Sequence, residues 1–514
     1  MREGTRVVKA APSPSIDLAP LEAASSGRRT RIDPGVVALA ALMIVTAAAK
    51  FAFSANHPLT LDELWTGMIA SQRSPAGLFR QCYLDVNAPL GYVLAWIWAH
   101  MAGLSNLALR FPSVVFASAA PLLALASGRV IPRQAKLVWV ALLACWIPGF
   151  VFAAEARSYA LLFFIGTGST IAYLSLLKEP STRRALVWTA ASSLLILTHY
   201  TALPLVGCQG LAFLLAHRLR AVRTWPALLA FIPALISLGV HAALLVGFSS
   251  RGPAGNAPLR VSEAPELLAF LVGGRSSVWV LLAWGAVTLA LWRLRPNTAA
   301  SPSKHAPSLV WLAPATSGAA VTLCLCVSMA HPFVTERYLT SMAPGVLLGI
   351  ALIAQELGRR TPLAPVALVA LQFGLVAGLL PSAFRPPSGL NLEAAWSDLR
   401  LAGVQRLAFF WDSPTAAGGN RDAFAQVGGF LFHRDGRPLA VTAVIVKPGE
   451  DPNPVLALGD HRPGAGIIWL DQGAAEGAAR RFPPRIESLD PRWRCRDFGI
   501  VKTHALACTY RPSQ

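Results

Sequence analysis

Two adjacent carboxylates and a third one 22 residues later, Asp62, Glu63 and Asp85, follow the first long apolar run of this 514-residue chain. A carboxylate in a poorly solvated place can take a proton from a hydroxyl, orient a polar substrate or hold a divalent cation. Two Arg-Tyr sites lie further on, in Glu155-Ala156-Arg157-Ser158-Tyr159 and in Glu336-Arg337-Tyr338. His199-Tyr200 is a third polar site, and Arg110 precedes Phe111-Pro112-Ser113. A guanidinium presents a rigid fork of donors that matches a phosphate or a carboxylate. Such groups together can deprotonate a nucleophile and hold an anionic leaving group. Spacing alone also allows a plainer account, in which the carboxylates are solvated loop charges, Arg157 and Arg337 pair with Glu155 and Glu336, and His199 packs.

The elements that carry these residues are membrane helices. Hydrophobic residues make up 54% of the chain and charged ones only 14%, too few to cover a water-facing surface of this size. Mean hydropathy is +0.50. Apolar runs long enough to cross a bilayer, or nearly so, occur at 35–53, 88–103, 111–128, 137–154, 159–177, 185–198, 201–217, 225–248, 277–293, 308–330, 337–356 and 363–381. The net charge of +19 sits in small groups between these runs, which argues for membrane topology rather than a nucleic-acid surface.

Arg129/Arg133/Lys136, Lys178/Arg183/Arg184, Arg218/Arg220/Arg223, Arg293/Arg295/Lys304 and Arg359/Arg360 occupy every second junction, the positive-inside pattern. These junctions and the N-terminal tail are expected in the cytoplasm. Asp62, Glu63, Asp85, Glu155, His199 and the segment His331 to Glu336 fall on the opposite face. Ionisable groups near apolar spans cost roughly 2.5–3.5 kcal/mol at a helix centre, so each needs a reason. Twelve crossings do not satisfy the charge pattern, which requires an odd number. The discrepancy lies in 88–128: either 88–103 rests along the interface or a short helix is hidden, giving 11 or 13 spans.

Residues 1–34, rich in Ser, Pro, Ala and Arg, read as a disordered cytosolic tail. The first run, Gly35 to Phe53, reads as an uncleaved helix despite the signal-peptidase-like Ser54-Ala55 that follows. Residues 35–381 form the transmembrane module, with 54–87 as its first outer loop. No G-x-x-x-x-G-K-[ST] loop or post-strand G-x-G-x-x-G is present, so nothing argues for ATP or a dinucleotide. Cytoplasmic junctions of mostly about 5 to 15 residues are too short for a nucleotide-sugar domain. A donor should therefore arrive through the lipid.

Residues 382–514 regain charge and turn residues, and read as a mixed α/β domain on the outer, periplasmic or extracellular, face. A helix near Asn391–Leu401 precedes apolar strands at Arg406–Trp411, Ala440–Val446 and Gly466–Leu470, then a hairpin from Arg494 to Thr509. Asp412, Asp422 and Asp460 read as loop residues. The seven cysteines include no C-x-x-C pair. Cys324 and Cys326 read as small buried side chains, whereas Cys495 and Cys508 flank the hairpin and are placed to form a disulfide in an oxidising compartment.

The motifs, taken together and in order over about 35–381, resemble the GT-C superfamily of polytopic glycosyltransferases, in the branch of the protein O-mannosyltransferases and the lipid A aminoarabinose transferase. The similar features are Asp62-Glu63 after the first span, Asp85-x-x-x-Pro89-Leu90, Leu109-Arg110-Phe111-Pro112-Ser113, Glu155-Ala-Arg157-Ser-Tyr159, Thr198-His199-Tyr200 and Arg337-Tyr338. Many relatives have Asp-x-His-Pro-Pro-Leu where this chain has Asp85-Val-Asn87-Ala88-Pro89-Leu90, which leaves the acceptor open. The resemblance implies an all-α polytopic fold and transfer of a sugar, usually with inversion, from a polyprenyl-phosphate carrier to a glycan, lipid or protein hydroxyl at the outer face of the cell inner membrane. It makes Asp62 the candidate base, with Glu63 and Asp85 beside it. Arg157, Tyr159, His199, Tyr200, Arg337, Tyr338 and Arg110 become the candidate substrate-binding set. No cofactor is expected, although a divalent cation remains open for the carboxylates, and no nucleic acid. A transporter of lipid-linked sugars is the competing reading, but such proteins usually show internal repeats, and none is found here. An assembly protein with a partner-binding outer domain would leave Asp62, Arg157 and Arg337 unexplained.

Overall fold

The computed structural model describes residues 34–55, 58–85, 87–250, 259–274, 278–293, 309–330, 334–359, 361–383, 392–412, 421–434, 439–446, 462–471, 486, 490–498 and 504–511. The N-terminal tail to residue 33, Arg295, Lys304, His331, Arg360 and Asp460 lie outside them. Helix α1 (Pro34–Ala55) continues through Ser54, and α2 (Leu61–Ala70), α3 (Pro75–Asp85) and α4 (Leu90–Ala102) follow. The chain then builds α5 (Asn106–Leu125), α6 (Arg133–Ala144), α7 (Pro148–Ala153), α8 (Tyr159–Lys178), α9 (Thr182–Thr198), α10 (Leu203–His217), α11 (Leu219–Val222) and α12 (Ile232–Ser250). Next come α13 (Ala264–Leu271), α14 (Val278–Arg293), α15 (Leu312–Ala330), α16 (Ala343–Gly358) and α17 (Ala364–Ala383).

Among the described residues six helical stretches are long and apolar enough to cross a membrane: Pro34–Ala55, Asn106–Leu125, Tyr159–Lys178, Tyr200–His217, Trp225–Val246 and Leu309–Ala330. Four shorter apolar helices, Leu90–Ala102, Val280–Ala290, Ala343–Gly358 and Ala364–Gly378, stand beside them. The protein is thus a multi-pass membrane protein. The 13 residues of α4 reach about 20 Å, short of the ~30 Å hydrocarbon layer. That length favours the interfacial alternative for 88–103. The expected span 137–154 is broken in two, because Pro148 cannot continue α6.

Breaking helices inside a membrane frees carbonyls that water cannot satisfy, and buried donors take them up. Pro121 and Pro148 lack the N–H groups that would bond Ala117 and Ala144 four residues earlier. Lys50, 1% exposed, donates its Nζ to both carbonyls, at 3.3 and 3.2 Å. Pro112 likewise strands the carbonyl of Ala108, which accepts from Trp98 Nε1 at 2.8 Å. Gln372 Nε2 donates to Cys145 O, beside the α6–α7 break, at 2.9 Å.

Beyond α17 the chain forms α18 (Leu392–Leu401), β1 (Arg406–Asp412), α19 (Arg421–His433), β2 (Ala440–Val446), β3 (Ala465–Asp471), β4 (Trp493–Asp497) and β5 (His504–Tyr510). The expected helix, strands and hairpin are all present. Helix α19 was not foreseen, and its presence puts Asp422 in a helical first turn while Asp412 ends β1. The sheet order is β2-β1-β3-β5-β4, with β1 parallel to β2 and β3, and β5 antiparallel to β3 and β4. Cys495 and Cys508 are opposite one another in β4 and β5 and form a disulfide. Cys324 is buried as expected, whereas Cys326 is exposed.

Alternation along the strands divides the apolar residues between two faces. Phe410, Ile467, Trp469, Leu506 and Cys508 pack on one face. Leu407, Phe409, Ile468, Leu470 and Ala507 pack on the other with α18 and α19, and this core continues without interruption into Leu61, Leu64, Met68, Leu78 and Tyr92 of α2, α3 and α4. The terminal domain is thereby joined to the segment that follows α1.

Candidate active site

Helix α2 owes its start to a capping box. Thr60 Oγ1 accepts the Glu63 N–H at 3.4 Å, and Glu63 Oε2 accepts the Thr60 N–H at 2.8 Å. This places the two carboxylates in the first turn, about 100° apart around the axis, and they meet different surroundings.

Asp62 is accessible, with 48% of its side chain exposed. Arg337, on a 3₁₀ turn (Glu336–Leu339) ahead of α16, donates Nη1 to Asp62 Oδ2 at 3.1 Å. Arg157, just before α8, donates Nη1 to the Asp62 carbonyl and to Tyr92 Oη, both at 3.3 Å. Tyr92 in turn donates to Asp85 Oδ2 at 2.5 Å, and Asn87 Nδ2 donates to the same oxygen at 2.7 Å. The Arg337 guanidinium lies over the rings of Tyr159 and Tyr338, at 5.7 and 5.9 Å. His199 sits between the same two rings, at 5.9 and 5.0 Å, with Nδ1 hydrogen-bonded to Thr201. Asp62, Asp85, Arg157, Tyr159, His199, Arg337 and Tyr338, from five separate parts of the chain, form one connected group. Among the described residues Nε and Nη2 of both arginines make no hydrogen bond, so two guanidinium edges remain available to an anion.

The electrostatics differ from residue to residue. Burial raises the Asp62 carboxyl, but Arg157 and Arg337 outweigh it and hold the group below the usual carboxylate range. Burial raises Asp85 above that range, against the opposing pull of Arg157, Asn87 and Tyr92. Burial, followed by the nearby charges of Arg157 and Arg337, pushes His199 down to about 3, so its imidazole is neutral at physiological pH. A narrow cleft adjoins the group, lined by Asn87, Arg157, Tyr159 and His199 and by apolar residues such as Leu109, Phe116 and Leu161.

Three of the expected site residues take other positions. Glu63 is fully buried. Its Oε1 accepts from Arg110 Nε at 2.6 Å and from the Ala156 N–H at 2.8 Å, and Oε2 accepts from Arg110 Nη2 at 2.8 Å as well as from Thr60. Arg110, 1% exposed, also donates to the carbonyls of Ser54 and Pro58, at 3.1 and 2.7 Å. With its charge satisfied and no solvent access, this pair fastens α2 to α5 and to the end of α1. Tyr200 turns away from the cleft: its hydroxyl bonds Ser237 Oγ at 2.8 Å and His241 Nδ1 at 2.9 Å.

Glu155 is the residue the sequence reading did not place in the site. No ion pair joins it to Arg157, and its carboxyl makes no hydrogen bond among the described residues. Burial, then the charges of Glu63 and Asp62, raise it to about 7 against the opposing effect of Arg157 and Arg337. The signal was available, since Glu155 stands two residues before Arg157 in one of the motifs.

No protein-family model matches the chain, and no curated protein matches it by sequence. Solved structures do match. The ArnT protein of Cupriavidus metallidurans bound to undecaprenyl phosphate aligns with a TM-score of 0.55 at 13% identity, over 93% of this chain and 99% of that one. The same protein in the apo state aligns at 0.54, with the same identity and coverage. Both the helical module and the terminal sheet domain lie within that overlap, so the chain has the fold of that ArnT structure.

Proposed function

We propose that the protein is a membrane glycosyltransferase that moves a sugar from a polyprenyl-phosphate carrier to an acceptor hydroxyl at the outer face of the membrane. The observation that carries this reading is the meeting of one accessible, ionised carboxylate with two arginines whose remaining N–H groups are unbonded. The undecaprenyl phosphate in the matching ArnT structure agrees with a lipid-phosphate ligand. The disulfide in the terminal domain supports an oxidising, periplasmic or extracellular side for that domain.

In this reading Asp62 accepts the proton of the acceptor hydroxyl as its oxygen attacks the anomeric carbon. The bond from that carbon to the phosphate oxygen breaks on the opposite side, which inverts the centre and releases the polyprenyl phosphate. An alcohol has a pKa far above 7, so a positioned base lowers the barrier. Arg157 and Arg337 hold the phosphate as cationic donors already in place when its charge develops. Tyr92 and Asp85 orient Arg157, and the neutral His199 with Tyr159 and Tyr338 forms the wall behind Arg337. Charge on the leaving phosphate is met by the two guanidinium groups, and a divalent cation is not required.

The test is turnover of radiolabelled polyprenyl-phosphate sugar by membranes carrying wild type or Asp62→Asn. Transfer by wild type and its loss in Asp62→Asn are expected. Wild-type turnover by the variant overturns the base assignment. Movement of the lipid-linked sugar across vesicles with no new glycosidic bond would replace the enzyme reading by a transporter.

A further inference from the structure

Helix α2 is only 10 residues long, and a helix of that length does not hold its own position in water. Its N-terminal turn is held by the capping box and by the Glu63–Arg110 pair. Its second turn is held by the terminal domain. Gly67, one turn beyond Glu63, lies directly against the ring of Phe430, so closely that a Cβ at 67 would fall inside that ring. Phe430 is 6% exposed and belongs to the core that α2, α3 and α4 share with the sheet. Helix α19 is pressed onto the sheet from its other side, where a Cβ on Gly428 would come within 3.0 Å of Phe409 and Val441. Phe430 therefore cannot retreat without moving α19.

Polar contacts hold the same interface in register. Gln81 Nε2 of α3 donates to Gln426 Oε1 of α19 at 2.7 Å. Asn106, at the start of α5, donates to both carboxylate oxygens of Glu393 on α18, at 2.8 and 3.0 Å. Arg434, just past α19, donates to Asn106 Oδ1 and pairs with Glu393 at 3.4 Å. The domain is thus anchored to α3 and α5, and it leans on α2 between them. Arg157 and Arg337 stand on the junctions into α8 and α16, and each reaches α2 through its Nη1, which donates to Asp62.

We propose that the terminal domain is part of the transfer machinery, with Phe430 a positioning residue that, by seating on Gly67, sets where Asp62 stands relative to the arginines. The inference rests on the reading of Asp62 as the base. Displacing α2 moves the base with its helix, whereas each arginine loses at most its Nη1 bond to Asp62 and keeps the Nε and Nη2 edge on its own junction, so catalysis and donor binding should separate.

The experiment uses the full chain in detergent or nanodiscs, as wild type, Phe430→Ala, the milder Phe430→Leu, and Asp62→Asn. It measures the folded fraction by size-exclusion chromatography, undecaprenyl phosphate binding, and transfer kinetics with radiolabelled polyprenyl-phosphate sugars from a membrane lipid extract. A displacement of the order of 1 Å should lower kcat of the folded Phe430 variants by about 10- to 100-fold. KM for the donor and Kd for undecaprenyl phosphate should stay within about twofold of wild type. The acid limb of the pH profile should also move. Asp62 is held low by Arg157 and Arg337 against burial, so a base drawn away from Arg337 protonates at higher pH and the limb shifts upward. A purely structural role would reduce the folded fraction and leave kcat and the limb of the surviving protein unchanged. Folded Phe430→Leu with kcat within about twofold of wild type and an unmoved limb, alongside an inactive Asp62→Asn, overturns this inference alone. An active Asp62→Asn removes the base reading, and the role of Phe430 with it.

Discussion

Asp62→Asn and Glu63→Gln exchange the same oxygen for an amide in neighbouring residues, and the structure assigns them opposite outcomes. The Asp62–Arg337 pair is 48% and 40% exposed, and pairs so open to water contribute at most about 1 kcal/mol to stability. Asp62→Asn should therefore fold with close to wild-type stability. If Asp62 is the base, transfer falls by about 10²- to 10⁴-fold. Glu63 is the reverse case. Its four accepted hydrogen bonds and its charge are the counterpart of a guanidinium that is 1% exposed. Removing one member of such a pair leaves the other buried and uncompensated, at about 3–5 kcal/mol. Glutamine also turns its NH₂ toward the Thr60 N–H, the Ala156 N–H or Arg110, all of them donors. The assay is thermal unfolding of the detergent-solubilised protein, followed by its size-exclusion peak, with turnover normalised to the folded fraction. Glu63→Gln should lose the peak at a much lower temperature, and the folded remainder should still transfer. A Glu63→Gln protein with wild-type stability and no turnover would return Glu63 to the chemistry and refute the argument from burial.

Lys50→Met should destabilise the helical module, because it strands the carbonyls of Ala117 and Ala144 at about 1–3 kcal/mol each; adding Pro121→Ala and Pro148→Ala, which restore the missing N–H groups, should recover part of the loss in the same unfolding assay. Glu155, raised to about 7, is neutral below the ordinary carboxylate range in folded and unfolded chains alike, and its contribution to stability is lost as pH rises through about 7. Thermal stability should accordingly decline from the ordinary carboxylate range up to about pH 7 and level off above it, and Glu155→Gln should flatten the decline; an unchanged slope in the variant would remove Glu155 as the cause. Cys495→Ser opens a 13-residue link and should cost the terminal domain roughly 2–4 kcal/mol. In intact cells Cys495 and Cys508 should resist thiol reagents until a reductant is added, and labelling without reductant would place the domain on the cytoplasmic side.

Much of the architecture could be read from the chain because the relevant signals are strong and local. Long apolar runs state where helices cross, and alternation in Leu407, Phe409 and in Ile468, Leu470 states which strand faces are covered. What escaped the sequence reading depends on contacts far apart in the chain. Helix α19 was missed because Gly428 and Gly429 lower helix propensity by about 1 kcal/mol each relative to alanine. At Gly428 the reason appears only when Phe409 and Val441 are in place. The role of Lys50 was not legible, since nothing in its own helix says that Pro121 and Pro148 leave carbonyls for it.

The burial of Glu63 also went unread, although here the deciding signal was local. Thr60-Leu61-Asp62-Glu63 has the spacing of a capping box, in which the residue three positions after the cap returns its side chain to the cap's own N–H. That geometry commits Glu63 to the backbone. Its neighbour, turned about 100° around the helix, is left to face elsewhere. Arg110 follows from the same step: a carboxylate buried by its capping duty needs a buried cation, and the arginine that supplies it is no longer available to a phosphate. Among the described residues Arg157 and Arg337 carry no such obligation, since Asp62, which is bonded to Arg337, is itself half exposed.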